Sequence, residues 1–339
     1  MSSEAPTTPY LSGRYGMTIP IDRVPLSDQR EWIVELEDLG YTDVWSSEAN
    51  TTDAFSPLAL ASAWAPSLRL GTAIVPAYTR GPALLAQSVA SLADAAPGRF
   101  AFGIGSSSNV IVEGWNGMEF TDPYRQVRDM VRFVQAALTG EKVSGRFGRS
   151  EVKGFRLGFI PAEAPTILVA ALREGMLGLA GREADGAILN WLSAEDVAMV
   201  APVVARAGAE SARPGPREVV ARVFVAPTTD RDTVMAMGRY AIAAYLSVPV
   251  YAAFHEWLGR GEELEEMWRL WGEGDRQGAL AAIPEEVVDD LIIWGTPEQC
   301  REHVQRYVDN GVTTPVLALL PVASNIEHHR QLIRDLAPR

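Results

Sequence analysis

Short apolar runs recur along this chain, and a polar or amphipathic stretch follows nearly every one of them. The runs fall at 15–19, 42–46, 68–75, 99–104, 166–170, 186–190, 219–225 and 316–319. Continuous apolar runs of this length suit strands covered on both faces, as in a parallel sheet. Strands that alternate with helices imply a parallel α/β architecture. Eight such units in 339 residues predict a closed (β/α)8 TIM barrel with insertions. A doubly wound open sheet is the structural alternative, though no Rossmann-type half repeats along the chain.

The helices between the runs carry ordinary signals. Ser27 is a candidate N-cap for a helix to Leu39, with Trp32, Ile33, Leu36 and Leu39 on one face and Gly40 as its stop. Pro97-Gly98 ends the helix after the third run, and 122–139 is a long amphipathic helix. Two stretches break the rhythm. Residues 141–162 set Phe147, Phe155 and Leu157 among Gly, Arg and Lys, which predicts a hairpin or excursion, and about 228–290 is helix-rich. No linker divides the chain, so the expectation is a flexible segment at 1–14 and one barrel domain over 15–339 carrying these two inserts.

Composition excludes several functions. A net charge of −13 repels a phosphate backbone and argues against nucleic-acid binding. Any anionic cofactor must then be held by local amides or a few Arg. With one cysteine, Cys300, no disulfide within the chain and no cysteine metal cluster can form. The four His are His255, His303, His328 and His329, so no His-rich metal motif lies in the first 250 residues. His328 and His329 read as solvent-facing. No signal-peptide pattern and no run of 18 apolar residues is present, so a cytoplasmic protein without a membrane span is expected.

In a barrel of this kind, chemistry gathers where strands end. Those positions hold Ser46 to Asn50, Pro76 to Arg80, Gly105 to Asn109, Ala171 to Met176, and Asn190-Trp191. The Gly103-Ile104-Gly105-Ser106-Ser107-Ser108 segment is either a tight turn with polar caps or an anion cradle of amides and hydroxyls. It is neither a P-loop nor the dinucleotide fingerprint, because the Lys-Ser/Thr ending and the third Gly are missing. Arg173-Glu174-Gly175-Met176-Leu177 opens a helix, whose free amides suit a phosphate. An exposed Arg near a helix start is the plain alternative. Glu48 reads as a general acid, a partner for a cofactor ring, or a solvated carboxylate. Trp45, Trp115 and Trp191 could wall an apolar cleft; core packing is favoured for Trp45, and Trp191 is the better pocket residue.

These motifs together resemble the luciferase-like flavin and deazaflavin oxidoreductases, in particular the branch that uses coenzyme F420. The resemblance runs through GYTDVWSSEA at 40–49, LGTAIVP at 70–76, PGRFAFGIGSSSNVIVEGWNG at 97–117, APTILVAALREGMLGLAGREADGAILNWLS at 164–193 and GTPEQCREHVQRYVDNGV at 295–312. It implies a (β/α)8 fold with the cofactor across the C-terminal rim. The implied phosphate site is Ser106-Ser107 with the helix start at Arg173, Gly175, Met176 and Leu177. A non-proline cis peptide is implied at Ala73-Ile74, against the cofactor ring, with Glu48, Asn190 and Trp191 also near it.

The departures from the resemblance bear on the reaction. Sugar-phosphate dehydrogenases of the family carry a His right after the acid, where this chain has Ala49. They also carry an acidic residue after strand four, where this chain has Ser107-Ser108. Without a base to take a hydroxyl proton, reduction of an activated C=C or C=N acceptor is expected rather than alcohol oxidation. Glu48, Tyr78 and Ser108 are the candidate proton donors. The insert aromatics, Tyr240, Tyr245, Tyr251, Phe254, Trp257, Trp268 and Trp271, are expected to divide among a substrate cap, packing and a subunit interface. The expected cofactor is coenzyme F420, with FMN as the alternative, and no metal. The expected partners are a small-molecule substrate and, through the interface, a homodimer partner. Two other functions stay open: an FMN-dependent monooxygenase, and a flavin-binding protein without catalysis.

Overall fold

The computed structural model describes residues 13–213 and 215–338. The flexible segment expected at 1–14 falls mainly on residues 1–12, outside the described residues. The strands in chain order are β1 Gly16–Thr18, β2 Asp43–Ser46, β3 Arg69–Thr72, β4 Val75–Pro76, β5 Phe100–Gly105 and β6 Val143–Phe147. They continue with β7 Ser150–Phe155, β8 Thr166–Ala170, β9 Gly186–Asn190, β10 Glu218–Ala226, β11 Ile292–Trp294 and β12 Thr314–Leu319. Eight of them close a parallel ring in the order β1, β2, β3, β5, β8, β9, β10, β12 and back to β1. The expected (β/α)8 barrel is therefore present, and the open-sheet alternative is not.

Several local expectations need correction. The third run is not one strand: it breaks between β3 and β4 at the cis Ala73–Ile74 peptide. A second cis peptide, Ile19–Pro20, follows β1. Ile292–Trp294, outside the eight runs, forms a further strand, β11. It pairs with Phe224 to Ala226 of β10, above the point where β9 stops pairing at Arg222. Ser27 does not cap the first helix. It lies in the 3-10 turn Leu26–Asp28, and the helix Arg30–Asp38 starts after Gln29. The Gln29 side chain instead bonds Ile21 and Val24 of the preceding loop. His329 is half-buried beside Trp32, not solvent-facing, whereas His328 is exposed. The excursion at 141–162 is the antiparallel β6–β7 hairpin, with Phe147 and Phe155 packed on Phe133.

Inward-facing residues follow the strand period of two and form layers. The lowest layer holds Asp43, Arg69, Glu218 and Thr314, each the first residue of its strand. Arg69 donates to both oxygens of Glu218 at 2.6 and 2.8 Å, and its Nη1 stands 3.5 Å from Asp43 Oδ1. Thr314 donates to Glu218 at 2.8 Å, and Arg14 reaches Asp43 from outside. Burial alone would raise the Glu218 pKa, but the bonds and charge of Arg69 outweigh it and hold it below the usual range. For Asp43 burial wins, and its pKa is raised.

The middle layer is Trp45, Ala101, Leu168, Ile188, Val220 and Val316, all buried. The Trp45 indole fills the barrel because its neighbour is a glycine. A Cβ on Gly71, its register partner, would stand 2.1 Å from the indole Cε3. Core packing for Trp45 is thus as expected.

The helices Arg231–Leu246, Pro249–Trp257, Gly261–Glu273, Arg276–Ala281 and Glu285–Leu291 make up the helical insert. They build a second core on Phe224, Ala226, Ile292, Ala318 and Leu320, at the upper ends of β10, β11 and β12. Arg260 pins this insert to the barrel. It donates to Asp196 at 2.8 Å, in the capping box Ser193–Asp196, and to Asp290 at 3.0 Å.

Candidate active site

Exposure locates the mouth. The next inward layer, Ala73, Ala170, Asn190 and Arg222, is half-buried, although every residue of the layer below is buried. This is the C-terminal end of the strands, the end where barrels of this kind carry their chemistry. A second concave face, on the β6–β7 hairpin, is lined by Arg146, Arg149, Glu151 and Lys153 and holds no residue of a barrel strand end.

The floor on one side is built from small residues. A Cβ on Gly105 would stand 2.8 Å from the Ala170 Cβ and 3.3 Å from Ile74 side-chain carbons. Ile74 and Ala170 therefore both lie against Gly105, which brings residues of the third, fourth and fifth barrel strands together. The loop after β2 is laced to this floor. The Glu48 amide donates to the Ile74 carbonyl at 3.2 Å, and the Ala73 amide to Ser46 at 2.6 Å. The Glu48 carboxylate accepts both of its close contacts from Arg80 Nη1 and one bond from the Ala54 amide at 3.3 Å. Arg80 also sits over Phe55 and lies 3.9 Å from Asp53. Glu48 is thus near the floor as expected, but as the acceptor of an ion pair and not as a free acid.

Tyr78 has a different role from that expected. Its hydroxyl donates to the Thr121 carbonyl at 2.7 Å, and its ring packs on Phe120. Burial pushes its pKa up to about 12, with the Asp122 charge adding to it. A proton held on a backbone carbonyl makes Tyr78 a strap between loops, with no free hydrogen for a substrate. The Ser108 hydroxyl accepts from the Ile111 amide at 3.4 Å, and its carbonyl accepts from Val112, so both its oxygens take amides of the turn Val110–Trp115.

Two loops next to the floor offer backbone donors. Ser107 has φ +63, a left-handed conformation that a non-glycine residue rarely adopts. Among the described residues, no acceptor meets the amides of Ser107, Ser108 or Asn109. Ser106 bonds only within the loop, to the Ser107 carbonyl at 3.3 Å. The helix Glu174–Glu183 follows β8 with no side-chain cap. Its first amides, at Glu174, Gly175 and Met176, are likewise open, and Arg173 is exposed beside them. Leu177 departs from expectation: its side chain is buried, and its amide donates to the Arg173 carbonyl at 2.9 Å. It closes the first turn, and its amide is not free.

The opposite side of the mouth is aromatic. Trp191 has φ +55 and is buried, stacked on Phe224 at 4.0 Å and packed on Tyr245 at 5.0 Å. It is a wall beneath the insert and not the open pocket lining expected of it. His255 holds its backbone: the Trp191 carbonyl accepts from His255 Nε2 at 3.0 Å. Burial, with the Arg260 charge adding to it, pulls the His255 pKa down to about 3. Asn190 donates to the Tyr251 hydroxyl at 2.9 Å. Beside this pair stands Arg222, its guanidinium 4.9 Å from the Phe224 ring centroid. Trp115 is exposed on the turn after the serine loop.

Sequence reasoning missed Arg222 and gave Arg80 no role. Arg222 did leave a signal: VVARVFV places one cation inside an apolar strand, in phase with Val220 and Phe224. Nothing in the sequence tied Arg80 to Glu48, which is 32 residues away. Among the described residues, no group of three or more His, Cys, Asp or Glu could hold a metal. No helix there is long and apolar enough to cross a membrane.

The family model for luciferase-like monooxygenase matches residues 8–314. The chain belongs to the luciferase-like monooxygenase family. A 5,10-methylenetetrahydromethanopterin reductase of Methanolobus tindarius is 26% identical over 310 residues, covering 88% of this chain and 91% of the relative. Among solved structures, the coenzyme F420 dependent tetrahydromethanopterin reductase of Methanopyrus kandleri superposes with a TM-score of 0.78 at 19% identity. That match covers 96% of this chain and 98% of the other. The oxygenating constituent of 3,6-diketocamphane monooxygenase of Pseudomonas putida, in complex with FMN, gives 0.67 at 15% identity, covering 96% and 97%. These two structural likenesses carry the fold. The family is one of flavin- or F420-dependent oxidoreductases, and the chain is an enzyme of that class.

Proposed function

We propose that this chain is a coenzyme F420-dependent oxidoreductase that reduces an activated C=C or C=N acceptor. The observation that carries the reading is the floor Ile74–Gly105–Ala170, flanked by two sets of open amides at 107–109 and 174–176. A flat ring fits against small side chains, and a phosphate fits free amides at a helix start. The coenzyme, when bound, supplies the hydride, and the barrel supplies position, charge and exclusion of water. Ser106, Ser107, Arg173, Gly175 and Met176 would hold the phosphate. Ala73 and Ile74 would back the ring, with Glu48 fixed at its edge by Arg80.

The reaction direction follows from the side chains present. Ala49 stands where a His base would be needed for alcohol oxidation. Tyr78 is committed to Thr121, Glu48 to Arg80, and Ser108 to its turn. A site with no free base favours an acceptor that takes hydride first and a proton from water afterwards. The reductase from Methanolobus tindarius supports this direction by its name.

Fluorescence titration of the protein with F420 and with FMN tests the cofactor. F420 is expected to bind and FMN to bind at least about tenfold more weakly. Tight FMN binding without F420 affinity overturns the reading in favour of an FMN-dependent monooxygenase, which the FMN-bound structural neighbour supports. F420 binding without oxidation of the reduced coenzyme by any enone, imine or nitro acceptor would instead mark a binding protein.

A further inference from the structure

Arg222 is the one inward-facing cation of the upper barrel layer. It stands on the seventh barrel strand, in register with Asn190 on the sixth and Val316 on the eighth. No carboxylate pairs with it among the described residues, although Arg69, two turns of the pleat below on the same sheet, is paired on both sides. Its Nε is shut off from solvent and has no hydrogen-bond partner. Its guanidinium lies over the face of Phe224, at 4.9 Å, and its charge reaches Tyr251. An enclosed Nε–H with no acceptor is costly, because its lost hydration is not replaced.

The groups around it are unspent as well. Asn190 donates to Tyr251, and its own Oδ1 is buried without a partner. Tyr251 accepts that bond and has no recorded acceptor for its own proton. Burial pushes the Tyr251 pKa up to about 12, so the phenol stays protonated. Turning the Asn190 amide over keeps the Tyr251 contact and presents NH2 hydrogens in place of the carbonyl. Tyr251 then gives its proton to the Asn190 carbonyl, so beside Arg222 the pair offers one donor at a time, the Tyr251 hydroxyl or the turned Asn190 amide. Donors of this number and charge match a carboxylate, which guanidinium binds through two parallel bonds.

Position separates this point from the cofactor groups. The Ala73–Ile74 bulge lies on the third barrel strand and Arg222 on the seventh, so they face each other across a ring of eight. The open amides follow the fourth and fifth strands. We propose that Arg222, Asn190 and Tyr251 form a subsite for a carboxylate of the acceptor substrate, on the far side of the mouth from the cofactor floor. The proposal rests on the function proposed above, and it assigns the substrate class: an acceptor bearing a carboxylate, with Phe224 beneath the guanidinium.

The test uses the full chain with F420 bound and, in parallel, without it. Benzoate and benzamide share a shape and differ in charge, and each is titrated calorimetrically against the wild type, Arg222→Gln and Arg222→Lys. Benzoate is expected to bind the wild type at least about tenfold more tightly than benzamide. Arg222→Gln should bring the two to parity, Arg222→Lys should restore part of the preference, and F420 affinity should be equal in all three. Equal binding of the probes to the wild type, or no benzoate binding, overturns the proposal. So does a fall in F420 affinity in Arg222→Gln, because the anion held there would then be the coenzyme's own. If F420 fails to bind the wild type, the proposed function fails instead, and the titrations without coenzyme still decide the subsite. Should Arg222→Gln fail to fold, the wild-type comparison and Arg222→Lys decide it.

Discussion

The two ends of the barrel hold the same kind of residue in opposite states. At the N-terminal end Arg69 is enclosed, and Glu218 and Asp43 meet its charge. At the C-terminal end Arg222 is partly enclosed over Phe224, and no carboxylate among the described residues meets its charge. An enclosed cation with partners costs little once formed, and one without partners is kept only at a cost in stability. The lower end therefore reads as a closure of the barrel, and the upper end as a surface prepared for something absent from the free protein. The loops repeat the contrast. Below, hydrogen bonds close on themselves; above, the amides at 107–109 and 174–176 are open.

Breaking the lower end should give the largest effect. Arg69→Met leaves Glu218 enclosed without its cation and Asp43 with Arg14 alone, and about 3–5 kcal/mol of stability should be lost in urea unfolding at pH 7. Coenzyme affinity per folded molecule should not change. The pH dependence has a definite sign. The Glu218 pKa is lowered in the fold, so its contribution is present at neutral pH and is lost as pH falls through the folded value. The deficit of Arg69→Met should shrink on acidification, and a constant deficit would contradict the pairing.

Next in size is His255, beneath the upper wall. Its folded pKa of about 3 lies below the ordinary imidazole value of 6.5. Between these values the unfolded chain binds the extra proton, so stability falls as pH drops from 6.5 toward 3. The slope from this one group is about 1.4 kcal/mol per pH unit. His255→Gln, which keeps a donor for the Trp191 carbonyl, should lose that part of the slope in unfolding curves taken between pH 7 and pH 5.

The open loops should give a smaller, functional effect. Replacing Ser106 and Arg173 together by Ala is expected to weaken F420 binding about tenfold at unchanged melting temperature. Unaltered affinity in this double variant would count against the phosphate site. The smallest change sharpens the comparison most. Arg222→Met removes an unpartnered charge and fits the aromatic wall, so its stability should match or exceed that of the wild type by up to about 1 kcal/mol. A loss like that of Arg69→Met would mean that Arg222 has a structural partner after all.

Strands buried on both faces print themselves on a sequence as apolar runs, which is why β8 and β9 are read there to the residue. The serine loop and the helix start at Arg173 were also visible, since a strand end followed by Gly and Ser, or by a helix, is a local pattern. Contacts across the barrel were not. Glu48 read as an acid, a ring partner or a solvated carboxylate, with no sign of its ion pair to Arg80. Tyr78 read as a donor, with no sign that its hydroxyl is committed to the Thr121 carbonyl. Trp191, just past a strand end, gave no sign that the insert would bury it. Side-chain partners separated along the chain leave no periodicity to read.

By itself, then, the order of residues determined a (β/α)8 barrel, its two inserts and the loops where amides stand open, because each follows from spacing along one segment. Tertiary structure alone decided which charges are spent. Arg69 and Arg222 are each a single cation in an apolar strand. Closure of the ring brings Glu218 to the first and leaves the second facing the mouth, and that difference lies in strand pairing and register that no single segment contains.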